Sequence, residues 1–451
     1  MNVQSAWHAN YTGKGVLVAV VDDGVKIDHP DLEANFNLTA SYDVLENRTI
    51  SKSYNPASHG TKCAGLIAGG KNNICGVGVA YGAQISSIRL YDDNTPSTDQ
   101  SEAKALSFKR DIIDIYSNSW GPGDMGWQVE GPGPQLEQAL QKGVQLGRRG
   151  KGSIFVFAAG NGGIASDSCA FSGYVNSIYT IAISGVNWDG SVPAYTEQCS
   201  GIMAVTYGQD MFTYGGVDPR MVTTNGARGC TDTFAGTSGT AAIASGIIAL
   251  ALEANPLLTW RDVQHLIARS CKPLNPQRGV SRTRPSWTTN AANLTVSSHY
   301  GFGLMDARDI TKYAKKWHSV SREQLSCEVK LNVSEVKLVI PVRGEFRLTL
   351  SVSSANCNIR HLEHVQADVN LRFSRRGYLE MFSTSPSGTK SKLLYPRIID
   401  TYTGYQNYTN WPVTSLHYWG ENPIGSWNIT IKNTGRSRQL KKGNMTAEPH
   451  T

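Results

Sequence analysis

Along this chain the apolar residues keep two different rhythms. Up to about Trp317 they come in short unbroken runs separated by helix-like patterns; beyond about Ser321 they fall at every second position. The first run, Val16-Leu-Val-Ala-Val-Val-Asp22, follows Gly13-Lys-Gly15 and ends on two acids, Asp22 and Asp23. An uninterrupted apolar run of this length predicts a strand buried on both faces. Further strands are expected over residues 85–91, 114–119, 153–159 and 177–184. Helices are expected at 59–68, 101–108, 135–146 and 258–267, with another ending near Trp317. Residues 40–58 read as polar and irregular. Strands alternating with helices predict an α/β unit whose parallel sheet carries its site at the carboxyl ends of the strands. Asp22 and Asn161 both fall at or just past such an end.

The longest apolar stretch, residues 234–252, carries no charge and is long enough to cross a membrane. It opens with Gly, Ser, Thr and Ala and lacks flanking basic anchors, so it reads as a core helix and not a membrane span. Ser238 lies between Gly236 and Gly239 at its start, where free N–H groups favour developing negative charge. Taken alone, the same pattern describes a helix with an ordinary Ser or Thr N-cap.

The alternating rhythm marks short strands at 336–341, 346–352, 367–373, 378–383 and 426–431, with a turn at Ser385-Pro-Ser-Gly388. An antiparallel β-sandwich is expected, giving one unit over residues 1–318 and a second over 319–451. Residues 436–451 are polar and unpatterned. The sandwich is expected to lose its last strand after Thr434, leaving an edge and an apolar face uncovered.

Lys+Arg of 43 against Asp+Glu of 36 gives a net charge of +7, with no dense basic run interleaved with aromatics, so nucleic acid is not an expected partner. Eight cysteines occur without a Cys-x-x-Cys pair, which leaves zinc unsupported. Asn-x-Ser/Thr sequons begin at Asn10, Asn37, Asn47, Asn293, Asn332, Asn407, Asn428 and Asn444. With the scattered cysteines they point to a secretory, oxidising compartment. No leader of secretory type precedes Asn2, so the expectation is a sequence without its true N-terminus.

Asp22, His59 and Ser238 each sit at the edge of a regular element. Nucleophilic catalysis needs a serine, an imidazole to take its proton and a carboxylate to fix the imidazole. The flanks Val20-Val-Asp-Asp-Gly24, Ser58-His-Gly-Thr-Lys-Cys63 and Gly236-Thr-Ser-Gly-Thr240 make the case specific. So do Asn72-Asn-Ile-Cys-Gly76, Asn118-Ser-Trp-Gly-Pro122, Ala159-Gly-Asn-Gly-Gly163, His361-Leu-Glu-His364 and Ser374-Arg-Arg-Gly377. On these motifs the chain resembles the subtilase clan of serine proteases, and within it the kexin/furin-like proprotein convertases with their P domain.

The resemblance implies a subtilisin-like fold followed by a P domain, and a calcium-dependent endoprotease of secretory precursors that cuts after paired basic residues. It implies Ser238 as nucleophile, His59 as base then acid, Asp22 as its orienting carboxylate and Asn161 as oxyanion donor. Asp124 matches an acid that reads the residue before the cut, with Trp120 in the same segment. Asp23 and Asp92 match acids one pocket further out, Glu102 and Glu130 acids that read an outer Arg, and Asp99 a more distant acid. Asp124, Asp167 and Glu197 match a Ca²⁺ site, and hard oxygen ligands suit that ion. Asp31, with Asn72, Ile74 and Gly76, matches part of a second. The loop at residues 43–50 lacks the acids of a third, where no ion is expected. The family pairing of cysteines is Cys75–Cys230, Cys169–Cys199 and Cys327–Cys357, leaving Cys63 and Cys271 free. Precursor proteins are the expected substrates, an inhibitory prodomain is absent from the sequence, and a monomer is expected.

Three positions depart from the family. Ser172 stands where a second acid of the first pocket is expected, which implies looser selection for Arg before the cut. Pro56 replaces another acid, and Gly239-Thr-Ala-Ala242 lacks the usual proline after the nucleophile. The missing ends leave a second reading open, a truncated or inactive isoform that binds substrate or a partner convertase without cutting.

Overall fold

The run that ends on Asp22 lies at the centre of the molecule. The computed structural model describes residues 1–50, 59–209, 220–226, 228–275, 286–321, 324–330 and 340–435. In it β1 (Leu17–Asp22) is buried at every residue, between β3 (Gln84–Arg89) and β4 (Ile115–Asn118). With β2 (Tyr42–Asp43), β5 (Ile154–Ala158), β6 (Thr180–Val186) and β7 (Ala204–Tyr207), these form a seven-stranded parallel sheet in the order β2-β3-β1-β4-β5-β6-β7. The order turns back at β1: the chain first builds to one side of it, then from β4 to the other. A crevice opens at the carboxyl ends at such a switch point.

Helix α2 (His59–Ala68) and the long helix α6 (Thr237–Ala254) pack on one face of the sheet and against each other. Over α6, 89% of the apolar window is buried in protein, so the stretch long enough to span a membrane is the core helix expected. Its small residues permit close packing: a Cβ on Gly246 would come within 2.7 Å of Val79 Cβ. Its one buried hydroxyl near mid-helix, Ser245, is bonded to Ser117 Oγ and Ala241 O. The other face is covered by α3 (Asp99–Ser107) and α4 (Pro134–Gly150), whose Leu106, Leu136, Leu140 and Val144 join Tyr116 and Phe155 in the core. Short α5 (Gly173–Asn176) leads into β6, α7 (Trp260–Ser270) follows α6, and α8 (Ala307–Ala314) packs against α1 (Val3–His8) at the start of the chain. Two small antiparallel pairs complete this unit: β8 (Thr223–Asn225) with β9 (Gly229–Thr231), and β10 (Thr288–Thr289) with β11 (Thr295–Val296).

Residues 40–50, within the stretch expected to be irregular, are not wholly so: β2 pairs with β3 through Tyr42↔Ile88 and Asp43↔Arg89. What holds it is charge: buried Asp43 accepts from Arg89 at 3.0 Å. No apolar run announces such a strand. Pro56 lies outside the described residues.

The second unit is antiparallel, as its alternation predicts. Strands β12 (Glu345–Val352), β17 (Gly425–Asn433), β14 (Leu379–Thr384) and β15 (Lys390–Leu394) form one sheet in that order; β13 (Val365–Arg372) and β16 (Asn407–Ser415) form another. Strands β15 and β16 were not expected. The first carries two lysines, and the second contains Pro412 and the left-handed Asn410 (φ 45°). Pro is tolerated there because the pair β13–β16 has open edges. Most of the expected strand at 336–341 and the segment 436–451 lie outside the described residues.

The two units share a core. Ala170, Phe171 and Val175 of the first pack with Leu394, Tyr395, Tyr408 and Val413 of the second. Arg261 and His265 of α7 bond Glu363, at 2.5 and 2.8 Å, and Trp419 Nε1 donates to His265 Nδ1 at 3.2 Å. The expected disulfides are present as Cys75–Cys230, Cys169–Cys199 and Cys327–Cys357, and Cys63 and Cys271 are free.

Buried His417 bonds Ser391 Oγ through Nδ1, and its Nε2 has no partner among the described residues. Burial lowers its pKa to about 4. The unfolded chain therefore gains a proton on this ring as pH falls below about 6.5, while the folded chain stays neutral down to about 4. Relative to His417→Gln, the parent should lose about 1 kcal/mol of stability between pH 7.5 and 5.5. Thermal melts of both proteins across that range check this; a constant gap between them would count against it.

Candidate active site

Asp22 closes β1 with its carboxylate fully buried. Its Oδ1 accepts from His59 Nδ1 at 2.8 Å, Tyr91 OH at 3.0 Å and the N–H of Asp23 at 2.8 Å. His59 is the first residue of α2, and its ring stands edge-on to Phe234. With Nδ1 donating to the carboxylate, Nε2 is left as the ring's acceptor. Burial alone would lower the imidazole pKa, but the charge and hydrogen bond of Asp22 outweigh it and hold His59 above its ordinary range.

Ser238 is the second residue of α6. Its Oγ lies 3.4 Å from the carbonyl of Ser119, whose own hydroxyl donates to Ser238 O at 3.1 Å. Gly236 caps this helix at φ +92°, and a Cβ there would come within 3.1 Å of Asn161 Oδ1. Both facts call for glycine. Asn161 follows β5, and its Oδ1 accepts from the N–H and hydroxyl of Thr237 at 2.8 and 3.0 Å. That pair of bonds fixes the amide and leaves Nδ2 as a free donor among the described residues. Cys63, one turn along α2 from His59, is fully buried with Sγ 3.5 Å from Ser119 Oγ. Burial, with Asp22 nearby, pushes its thiol pKa up, so it is an inert neutral thiol.

Beside this group lies a second, wholly acidic one. Asp124, Asp167 and Glu197 converge around Gly160 and Gly162; a Cβ on Gly162 would meet Asp167 Cβ at 2.6 Å and Glu197 Oε1 at 3.0 Å. Glu197 accepts from Gly162 N at 2.9 Å, and Asp167 from Gly126 N at 2.7 Å and Ser168 N at 2.8 Å. Burial, then the neighbouring acids, raises Glu197 strongly; burial and Asp167 raise Asp124. Three acids about one glycine turn offer the hard oxygen ligands that suit a divalent cation, though their carboxylate oxygens do not all lie within 4.8 Å of one another. The second expected set is less complete. Asp31 is buried with Oδ2 unpartnered among the described residues, which suits a cation, but Asn72 approaches its Oδ1 through nitrogen at 2.7 Å. Ile74 and Gly76 lie in the loop tied down by Cys75–Cys230.

The remaining expected acids differ in how free they are. Asp23 accepts from His59 N and Gly60 N at 3.1 and 2.7 Å, capping α2, and burial with the adjacent Asp22 raises its pKa to about 6. Asp92 is paired to Arg89 at 2.6 Å. Glu102 is buried, accepting from Ser97 Oγ at 2.6 Å and Tyr174 OH at 2.9 Å. Asp99 accepts from the N–H groups of Gln135 and Leu136, which engages it as the cap of α4. Glu130 is exposed, and its backbone bridges Ser172. Trp120 donates to Val21 O at 3.0 Å and packs edge-on to Phe157 and Tyr174. Tyr91, Ser119, Thr237 and Tyr174 each support one of these groups and were not anticipated, because each acts across a long sequence gap.

A parallel sheet with an Asp–His pair and a helix-borne serine at its carboxyl edge is an arrangement found among α/β serine hydrolases, the subtilisin-type peptidases included. The chain belongs to the subtilase family. The Subtilase family profile matches residues 13–303, and the Proprotein convertase P-domain profile matches residues 362–446. The chain is 43% identical over 441 residues to furin-like protease 1, isoform 1-CRR, of Drosophila melanogaster, covering 97% of the chain and 38% of that protein. It is 42% identical over 440 residues to proprotein convertase subtilisin/kexin type 4 of Homo sapiens, covering 96% of the chain and 56% of the relative. Type 5 of Homo sapiens is 42% identical over 442 residues, with 96% and 23% covered. The chain thus spans well under two thirds of these relatives. Among solved structures, a serine protease of Aeromonas sobria matches with a TM-score of 0.82 at 24% identity, over 95% of the chain and 83% of that structure, a likeness of fold.

Asp22→Asn would remove both the charge and the carboxylate acceptor that offset the burial of His59. The His59 titration, followed by imidazole NMR, should move below that of the parent. An unmoved midpoint would show that Asp22 does not set it.

Proposed function

We propose that this chain forms the peptidase and P-domain part of a calcium-dependent serine endoprotease that cleaves precursor proteins after paired basic residues in the secretory pathway. The observation that carries this reading is the Asp22–His59 pair, its carboxylate buried, at the same sheet edge as a serine at the start of α6, with the amide of Asn161 pinned by that helix's first turn.

In this reading Ser238 Oγ attacks the scissile carbonyl as His59 Nε2 takes its proton. Asp22 holds Nδ1 and stabilises the imidazolium. The free Nδ2 of Asn161 and the N–H of Ser238 receive the oxyanion, and loss of one such donor costs about 10²–10³ in kcat. His59 then protonates the leaving amine, and the acyl-enzyme is hydrolysed by the same groups in reverse. Because the imidazole must start neutral, activity rises with pH through a His59 midpoint lying above the ordinary histidine range.

Basic substrates are favoured by the carboxylates around the crevice, a local field that net charge does not reveal. Asp124 serves the side chain before the cut, Asp23 and Asp92 the next, and Glu102 with Glu130 an outer one. The cluster of Asp124, Asp167 and Glu197 would hold Ca²⁺, which would neutralise the cluster and fix the Asp124 segment. Three disulfides and surface sequons such as Asn407 and Asn428 support an oxidising compartment.

Three experiments test this. A fluorophosphonate probe should label Ser238, and an Arg-x-Lys-Arg peptide should be cut after the pair, with Ser172→Asp sharpening Arg selection by about tenfold or more. Absence of label on folded protein would favour the binding-only reading. For the cation, Glu197→Gln should melt no lower than the parent in chelator, since it relieves buried repulsion. Added Ca²⁺ should stabilise the parent alone. Equal stabilisation of both would place the ion elsewhere.

A further inference from the structure

Arg397, in the second unit, is the largest fully buried side chain of the described residues. Its guanidinium reaches into the first unit, donating to Gln128 O at 2.6 Å, Trp127 O at 3.2 Å and Asp167 Oδ1 at 3.1 Å. It also donates to Asp400 Oδ2 at 2.7 Å and lies 3.7 Å over the ring of Phe171. Asp400 is buried and takes a second arginine, Arg376, on both oxygens at 3.1 and 3.0 Å. Arg376 reaches the same Trp127 carbonyl at 2.8 Å but makes no bond to Asp167.

The charges in this buried region match in an unequal way. Asp400 balances one of the two arginines, and the other faces Asp167. With Asp167 so balanced, Asp124 and Glu197 leave two negative charges to be met, the charge of one divalent cation. Without Arg397 the same cluster would present three. Carboxylate count tunes both the affinity of such a site and its preference between ions.

We propose that Arg397 is a positioning residue through which the second unit sets the charge of the acid cluster, matching it to a divalent ion and holding its affinity down. This rests on the calcium reading above. The same guanidinium pins the carbonyls of Trp127 and Gln128, between Asp124 and Glu130, so the cation site and the proposed substrate acids share one cross-unit anchor. A simple structural tie would predict that losing either arginine weakens the site alike. The charge argument predicts that only Arg397 matters, and in the opposite direction.

The test is calorimetric titration of the full chain with Ca²⁺ and, separately, with Tb³⁺. The step of interest is the one lost in Glu197→Gln. Arg397→Gln should tighten Ca²⁺ about three- to tenfold and raise the preference for Tb³⁺ over Ca²⁺ further. Arg397→Lys should restore parental values, and Arg376→Gln should leave both unchanged. Asp400→Asn, which frees positive charge, should shift Ca²⁺ affinity the other way. An unchanged or weakened Ca²⁺ step in Arg397→Gln, or equal effects from both arginines, overturns the proposal. If Arg397→Gln does not fold, the sign of the Asp400→Asn shift decides: weakening supports the proposal and tightening overturns it. If the parent shows no step that depends on Glu197, the calcium reading itself fails, an outcome distinct from the other failures.

Discussion

Carboxylates buried close together keep their charge only beside a matching positive group, and that requirement organises the carboxyl edge of this sheet. Asp22 is answered by His59 and by the hydroxyl of Tyr91. Asp23 is answered by the first N–H groups of α2, so the acid next to the pair also fixes the helix that carries the imidazole. Asp43 and Asp92 share Arg89. Glu197, buried and facing two other acids, has one backbone N–H for an answer, and its pKa is pushed up. The proposed chemistry and the proposed cation site are two outcomes of this one constraint.

It also explains why the second unit is bound so tightly to the first. An apolar seam of Phe171, Val175, Tyr408 and Val413 supplies cohesion without direction. Direction comes from polar contacts that tolerate only one alignment: Glu363 with Arg261 and His265, Asn176 with Thr414, and Arg397 with Asp167. The last of these reaches a residue of the acid cluster itself. The β-sandwich is therefore attached to the working edge of the sheet and not merely to its rim.

The central strand, the core helix and the positions of Asp22, His59, Asn161 and Ser238 were legible in the sequence because each joins an apolar run to a glycine turn. The supporting groups were not. Asp99 could be seen as an acid at the head of a helix, but its partners, Gln135 and Leu136, lie 36 and 37 residues away. Strand β2 escaped notice because an ion pair holds it. Strand β16 escaped because Pro412 and Asn410 interrupt its alternation. Arg397 stands in Tyr395-Pro-Arg-Ile-Ile-Asp400, a stretch with no pattern that announces a buried guanidinium. Periodicity reports burial of apolar surface, and the chemistry of this edge depends on burial of charge.

The shared core has a consequence for how the chain is made. Phe171 and Val175 leave the ribosome well before Tyr408 and Val413, which complete their packing. At about 5–20 residues per second, that interval is on the order of ten seconds or more. During it the growing chain displays an unfinished apolar seam and an Asp167 still waiting for its arginine. The first unit therefore reaches its final form only when the second has been synthesised, and the order of translation becomes an order of maturation.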